Sequence, residues 1–367
     1  MMKKVLVYGL TGVLGGKENV IINSLFAMDR DGLEIHLLVY EEPVFYEELR
    51  EKGFIIHSVP RRGEDYMGNK KQTEKLFAEC SFDAVWINIC TLSYIEPLVQ
   101  AKKFNVPVRI VHVHCPEAAG GWKMKLLHFF HRRPASKAAN YYFACSQGAA
   151  DFSFSEAMQS GDRFRLINNA VNLDTFAFSA EKRREIREEL KLTDQLLLGH
   201  VGRFSDVKNH AFLIEVFREL SAIRSDAHLV LVGDGELEED IRSRVARYGL
   251  EDRVLFLGRR TDTDRIYSGL DLLVFPSKYE GLPLVLVEAQ ASGLPCLVSD
   301  TVSEESQITD LVRYLSLGIG PEEWANMAIK LAEGRERRSP IKELREAGFD
   351  LGENAELLKR VFLNELD

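Results

Sequence analysis

Four stretches of this chain place chemically capable residues at useful spacings. The first is Gly9-Leu10-Thr11-Gly12-Val13-Leu14-Gly15-Gly16, directly after an apolar run. Glycines let backbone N–H groups approach a phosphate, and a helix opening there adds partial positive charge. The same sequence also suits a tight strand-to-helix turn with no ligand. The second is Gly202-Arg203-Phe204-Ser205-Asp206-Val207-Lys208. Arg203 offers a planar fork and Lys208 a mobile point charge, so the pair suits an anionic group. The third is Glu280-Gly281-Leu282-Pro283-Leu284-Val285-Leu286-Val287-Glu288. Glu280 falls in a loop and Glu288 about one turn inside an apolar helix. Pro283 fits near that helix's start, where no intrahelical N–H is needed. The amides of Leu284 and Val285 then point at an anion, and each carboxylate can accept from hydroxyls. Cations and amides for a diphosphate, with carboxylates for sugar and ribose hydroxyls, are the inventory a sugar nucleotide requires. The fourth is Arg109-Ile110-Val111-His112-Val113-His114-Cys115-Pro116. Period-two geometry puts His112 and His114 on one face. His114 lies nearer the strand tip; a hydrogen-bonded core histidine is the plain alternative, and a zinc site lacks a third ligand.

Three further patterns are weighed beside these. The spacing Gly9, Gly12, Gly15 imitates a dinucleotide fingerprint, and Tyr66-x-x-x-Lys70 supplies the residue types of a dehydrogenase pair. That pair follows only the second expected strand, in a polar loop at Arg61–Asn69, so an NAD(P)-dependent epimerase or dehydrogenase is the alternative rather than the reading. Asp262-x-Asp264 has a metal-binding spacing but sits where a helix starts, which favours N-capping. No metal or cofactor is expected. The stretch Trp122–Arg133 mixes basic and large apolar side chains. It suits a helix touching anionic lipid, or equally a core-packing helix with solvated basic ends.

Strands must carry these residues. Lys4–Tyr8, Glu34–Val39, Ala84–Ile89, Val108–Val113 and Tyr141–Cys145 read as buried strands alternating with helical stretches. The pattern restarts with Leu196–Val201, His228–Val232, Val254–Leu257, Leu272–Phe275 and Pro295–Ser299. Alternation of this kind predicts parallel α/β sheets. Two domains are expected, 1–170 and 171–349, with a C-terminal helix in 350–367 that can pack back on the first. In such sheets ligands sit beyond the carboxyl ends of the strands.

Composition narrows the classes. The 367 residues are 46% hydrophobic and 28% charged, which suits a globular protein and excludes disorder. The net charge of −9 argues against a general nucleic-acid binder. No apolar run is long enough to span a bilayer, and Met1–Gly9 reads as a first strand rather than a signal peptide. The five cysteines form no C-x-x-C pair and read as reduced thiols. A cytoplasmic protein, or one peripheral to the inner face of the membrane, is expected.

Arg203…Lys208, the Gly233-Asp234-Gly235 turn and Glu280…Glu288, with the trailing Ala289-Gln290-Ala291-Ser292-Gly293-Leu294-Pro295, resemble the signature of family 4 retaining glycosyltransferases. Leu166–Phe176 is similar to that family's interdomain segment, with Ala170 where Gly is usual and Asn172 where Asp is usual. Tyr279–Pro283 and Ser299–Val302 resemble the capsular and exopolysaccharide group. The resemblance implies a GT-B fold, two Rossmann-like domains facing across a cleft. It implies retaining, metal-independent transfer from a nucleoside-diphosphate sugar, UDP-linked by expectation, to a saccharide or lipid-linked saccharide. It carries roles residue by residue. Arg203 and Lys208 neutralise the diphosphate. Glu280 contacts donor-sugar hydroxyls, with the amides of Gly281, Leu282, Leu284 and Val285 and Pro283 beside it. Glu288 accepts from ribose, and Gly258 to Arg260 border the base. Gly15, Gly16 and His114 serve from the first domain. A non-catalytic nucleotide-sugar-binding partner subunit is a further alternative.

Overall fold

The computed structural model of the chain describes residues 2–13, 15–115, 122–333 and 337–365. It divides into two units, Met1–Asn169 with Leu351–Asp367, and Ala170–Asp350. In the first unit, short runs rich in Val, Ile and Leu form β1 (Lys3–Tyr8), β2 (Leu33–Val39), β3 (Ile55–Ser58), β4 (Ala84–Ile89), β5 (Val108–Val113), β6 (Tyr141–Ala144) and β7 (Phe164–Leu166). They lie parallel in the order β3-β2-β1-β4-β5-β6-β7. The second unit holds β8 (Leu197–Val201), β9 (His228–Val232), β10 (Val254–Phe256), β11 (Leu272–Phe275), β12 (Cys296–Ser299) and β13 (Val312–Leu315). These are also parallel, in the order β10-β9-β8-β11-β12-β13.

Helices cover both faces of each sheet, so alternate residues of one strand enter different cores. Val5 and Val7 of β1 pack with Ala84 and Trp86 on one face, while Leu6 packs with Val85 and Ile87 on the other. In the second unit Leu272 and Val274 enter one core, and Leu273 and Phe275 the other. The C-terminal helix Leu351–Phe362 returns to the first unit. Its buried Ala355, Leu358, Val361 and Phe362 join the β1 core, with the Phe362 ring 5.9 Å from Trp86.

In each sheet the strand order reverses once, between β1 and β4 and between β8 and β11. At such a switch point neighbouring loops leave in opposite directions and open a crevice beyond the carboxyl ends. Sequence reasoning misses β3, β7 and β13, which are edge strands only 4, 3 and 4 residues long. Tyr66 and Lys70 lie not in a polar loop but on the helix Tyr66–Glu79, which Asp65 caps by accepting from the Gly68 amide. Cys90 and Cys115, each just beyond β4 or β5, are joined as a disulfide with Cα atoms 4.8 Å apart, which corrects the reading of all five cysteines as thiols.

Candidate active site

The second unit's switch point brings together the loops after β8 and β11. Val201 ends β8, and Gly202-Arg203 follow. Gly233 and Gly235, beyond β9, lie directly against this turn with φ of +135° and +158°. A Cβ on Gly233 would stand 2.1 Å from the Gly202 carbonyl oxygen, and one on Gly235 would stand 2.5 Å from that of Phe204. Only glycine permits both that backbone conformation and that approach. The Phe204 amide donates to the Asp234 carbonyl at 2.9 Å, locking the two loops together.

Lys208 reaches back under this turn. Its Nζ sits 2.7 Å from a Glu280 carboxylate oxygen and 4.7 Å from the centre of the Phe275 ring, the last residue of β11. Both partners are largely shielded, with side chains 17% and 20% exposed, so the pair is held in place rather than solvated away. His200 and His210 flank it. Burial, then the neighbouring His210 ring and Lys208, pushes His200 well below the usual histidine range, and burial, then Lys208, pushes His210 to about 4. Both rings are therefore neutral, and Lys208 is the positive charge beside them.

Glu280 also anchors its own loop, its carbonyl accepting from the Ser303 amide at 3.1 Å. Three residues on, Pro283 caps the helix Leu284–Ala291. The first amides of that helix have no intrahelical acceptor. Glu288, one turn in, accepts from the Tyr267 hydroxyl at 2.8 Å. Burial pushes its carboxyl up to about 7, against the opposing pull of that hydrogen bond. Glu288 is thus poised between neutral and ionised at physiological pH.

Arg203 stands on the same loop but faces outward, 72% exposed and 3.1 Å from Glu236. Arg260 does not join the cluster through its side chain. Its guanidinium is taken up by Asp262 at 2.7 Å and Glu189 at 2.7 Å. What borders the β9 turn there is the backbone of Gly258, whose carbonyl accepts from the Gly233 amide at 2.8 Å. Asp262 occupies the N-cap position of the helix Thr263–Gly269, yet its carboxylate holds Arg260 and Arg265 rather than capping. Asp264 pairs with Lys182 at 2.7 Å. Among the described residues, no three His, Cys, Asp or Glu side chains group as a metal site.

The first unit presents its own cluster at the β1/β4 switch point. His114 follows β5, with Nε2 2.9 Å from the Asn88 side-chain oxygen of β4. Asn88 in turn donates to the Tyr8 carbonyl at 3.4 Å, which fixes its amide orientation and makes His114 Nε2 the donor. The other ring nitrogen, Nδ1, is buried without a partner among the described residues. Burial, then His112 and Lys17, holds His114 well below the usual histidine range, so it is neutral and Nδ1 is an acceptor. His112 lies deeper, fully buried between Trp86 and Phe143, and belongs to the core. Gly15 caps the helix Gly16–Ala27, and a Cβ on it would meet Glu18 at 2.9 Å. At Gly16 a Cβ would meet nothing within 4 Å, so packing does not demand glycine there.

Sequence reasoning missed the polar residues of this loop. The Lys17 ammonium donates to the Gly9 carbonyl and pairs with Glu18 at 3.0 Å, while Glu18 accepts from the Thr11 hydroxyl at 2.8 Å. A Lys-Glu dipeptide opening a helix was the available signal. The helix Trp122–Ala138 buries His128, Ala135 and Ala138 and leaves Phe129 and Phe130 67% and 61% exposed, beside Lys123, Lys125 and Arg133. No helix among the described residues is long and apolar enough to cross a membrane.

Two doubly wound parallel units, each with polar residues at its switch point, are the architecture of GT-B glycosyltransferases. Residues 181–346 match the family described as glycosyl transferases group 1. A putative glycosyltransferase of Bacillus subtilis, EpsF, is 34% identical over 360 residues, which cover 95% of this chain and 93% of that protein. The chain therefore belongs to the group 1 glycosyl transferases. A Campylobacter jejuni relative, N-acetylgalactosamine-N,N'-diacetylbacillosaminyl-diphospho-undecaprenol 4-alpha-N-acetylgalactosaminyltransferase, is 28% identical over 121 residues, covering 33% of this chain and 30% of its own. Among solved structures, Anabaena HepE in complex with UDP superposes with a TM-score of 0.77 at 19% identity, each chain covered in full.

Proposed function

We propose that this glycosyltransferase is a retaining enzyme that takes a sugar from a UDP-linked donor and gives it to a saccharide or lipid-linked saccharide in exopolysaccharide or capsule assembly. The observation that carries the reading is the shielded Lys208–Glu280 pair at the β8/β11 switch point, with Glu280 four residues before the first residue of the helix Leu284–Ala291. Breaking the anomeric C–O bond builds negative charge on the departing diphosphate. A fixed ammonium, a second cation at Arg203 and helix amides lower that cost, because they are oriented before the charge develops. Glu280 accepts from donor-sugar hydroxyls and Glu288 from ribose hydroxyls. Positive charge is supplied by side chains and amides, so the reaction is read as independent of added metal. His114, Gly15 and Gly16 are the first unit's contribution to the same reaction.

The resemblance of Tyr279–Pro283 and Ser299–Val302 to the capsular and exopolysaccharide group supports that setting, and the UDP complex of HepE supports the nucleotide. The exposed aromatic and basic face of Trp122–Ala138 supports contact with anionic lipid, where a lipid-linked acceptor resides. A panel of UDP-, GDP-, ADP- and TDP-sugars with and without EDTA, read by thermal shift and by mass-spectrometric detection of released nucleotide, tests the reading. UDP-sugars should stabilise the chain and be turned over in EDTA. Stabilisation by NAD(P) instead, or binding of UDP without any turnover or transfer, would favour a dehydrogenase or a non-catalytic subunit.

A further inference from the structure

Two cysteines stand beside the first unit's switch point with no part in donor binding or transfer. Cys90 follows β4 and Cys115 lies just beyond β5, with Cα atoms 4.8 Å apart and the sulfurs joined. That separation is inside the range a disulfide spans. The strands that bring them together do not depend on the link. β4 and β5 pair in parallel over six positions, from Ala84 against Val108 to Ile89 against Val113. Trp86 and Ile110 pack into one core, and Ile87, Ile89, Val111 and Val113 into the other. Their register is therefore set by buried packing. The two sulfurs stay within reach of one another when the bond is open, so the link can open and close without unfolding the sheet.

The pair is also accessible. Cys90 and Cys115 are part-exposed, whereas Cys145 and Cys296 are buried. Thiol chemistry selects exposed sulfurs in this way, and burial pushes the Cys296 thiol up and away from the reactive thiolate. What the link touches gives it a consequence. His114 immediately precedes Cys115. Its amide donates to the Ile89 carbonyl at 3.0 Å, and its ring is bound to Asn88 at 2.9 Å, two residues before Cys90. Beyond Cys90 the chain is anchored at Leu92. The Leu92 amide donates to His128 at 3.1 Å and its carbonyl accepts from His131 at 2.8 Å, both on the helix Trp122–Ala138. The disulfide thus ties the backbone just past His114 to a loop that is fixed at both of its ends.

We propose that Cys90 and Cys115 are a reversible redox site that exchanges with a low-molecular-weight thiol–disulfide couple, and that the closed form clamps His114 in the position described above. Closing consumes one small disulfide. The thiolate of one cysteine attacks a sulfur of that molecule, one small thiol leaves, and a mixed disulfide forms. The thiolate of the second cysteine then attacks the protein sulfur of the mixed disulfide and releases the other half as a second small thiol. Two electrons pass from the cysteine pair to the small disulfide, and the two cysteine protons end on the two released thiols. Opening is the reverse. The redox site and the clamp stand without the glycosyltransferase reading; only their effect on turnover rests on it.

The full chain, equilibrated in buffers running from reduced to oxidised glutathione and then blocked with N-ethylmaleimide, tests the site by mass spectrometry. In reduced glutathione all five cysteines should be blocked, and in oxidised glutathione Cys90 and Cys115 should be recovered as one linked peptide instead. Hydrogen exchange reads the clamp: peptides over 84–95 and 108–115 should exchange at least about fivefold more slowly in the closed form. Turnover of whichever UDP-sugar the chain consumes reads the consequence. Its kcat should be at least about threefold higher in the closed form, with UDP affinity within about twofold. Cys90→Ser and Cys115→Ser should each fix turnover at the open-form rate in every buffer, so either serves if the other fails to fold. Cys80→Ser should keep the full response. A chain that consumes no UDP-sugar would sink the transfer reading, and the linked peptide and the exchange rates would still decide the redox site and its clamp. Blocked Cys90 and Cys115 in oxidised glutathione, a link that survives reduced glutathione, equal exchange in the two forms, or equal and measurable turnover in them would overturn the proposal.

Discussion

Glu288 offers a perturbation with opposite expected effects on stability and binding. Its carboxyl is raised to about 7 by burial, from an ordinary value near 4.5. The sign follows directly. In the unfolded chain the group ionises near pH 4.5, whereas in the folded chain it keeps its proton to near 7. Below about pH 4.5 both states are protonated and there is no penalty; the penalty grows between the two values and is complete above about pH 7. A gap of this size corresponds to about 3 kcal/mol at most. Glu288 is only part-buried, and water reaching its carboxyl reduces the gap, so about 1–3 kcal/mol is expected. Glu288→Gln keeps the shape and the hydrogen bond from Tyr267 and removes the charge. The variant should match wild type near pH 4.5 and exceed it in Tm by roughly 3–10 °C near pH 8. Its affinity for UDP should fall, because an amide accepts less strongly from ribose hydroxyls than a carboxylate. Wild-type affinity should rise between about pH 6 and 8, and the variant's should stay flat. Thermal melts across this range, with and without UDP, measure both. A Gln variant no more stable than wild type near pH 8, or one that keeps the pH slope for UDP, would refute the reasoning.

Gly233→Ala forces a Cβ onto the Gly202 carbonyl at a positive φ, so it should cost more than about 1 kcal/mol in denaturant melts and raise the donor KM by displacing Arg203. Arg260→Ala should lower Tm by an amount equivalent to about 1 kcal/mol or less, because Asp262 and Glu189 lose one of two partners and keep Arg265. It should change the donor KM by less than about threefold if the guanidinium is only structural. His114→Ala should lower kcat by roughly 100-fold with near-normal Tm. Because His114 is already neutral, the wild-type rate should show no inflection from it above about pH 6.

Central strands were legible because they are buried on both faces and read as short runs dominated by Val, Ile and Leu. Those at 84–89, 108–113, 228–232 and 272–275 carry that signal and were placed to the residue. Edge strands bury one face, so Ile55–Ser58 and Val312–Leu315 have polar or exposed positions that dilute it. The pairing of Lys208 with Glu280 was legible only as two residues each suited to a sugar nucleotide. Their contact spans 72 positions and depends on β8 lying beside β11. Arg260 shows the converse limit. The resemblance implied that it borders the base, and in the fold its guanidinium pairs with Glu189, contributed by a distant helix.

The central claim is that the second unit grips a nucleoside diphosphate through Lys208. Isothermal titration of UDP into wild type and Lys208→Met tests it most directly, with Glu280→Gln as control for the broken ion pair. The account predicts saturable binding to wild type, at least a tenfold loss in Lys208→Met at unchanged secondary structure, and retained UDP affinity in Glu280→Gln. Equal UDP affinity in wild type and Lys208→Met, or no UDP binding by the wild type, would contradict it.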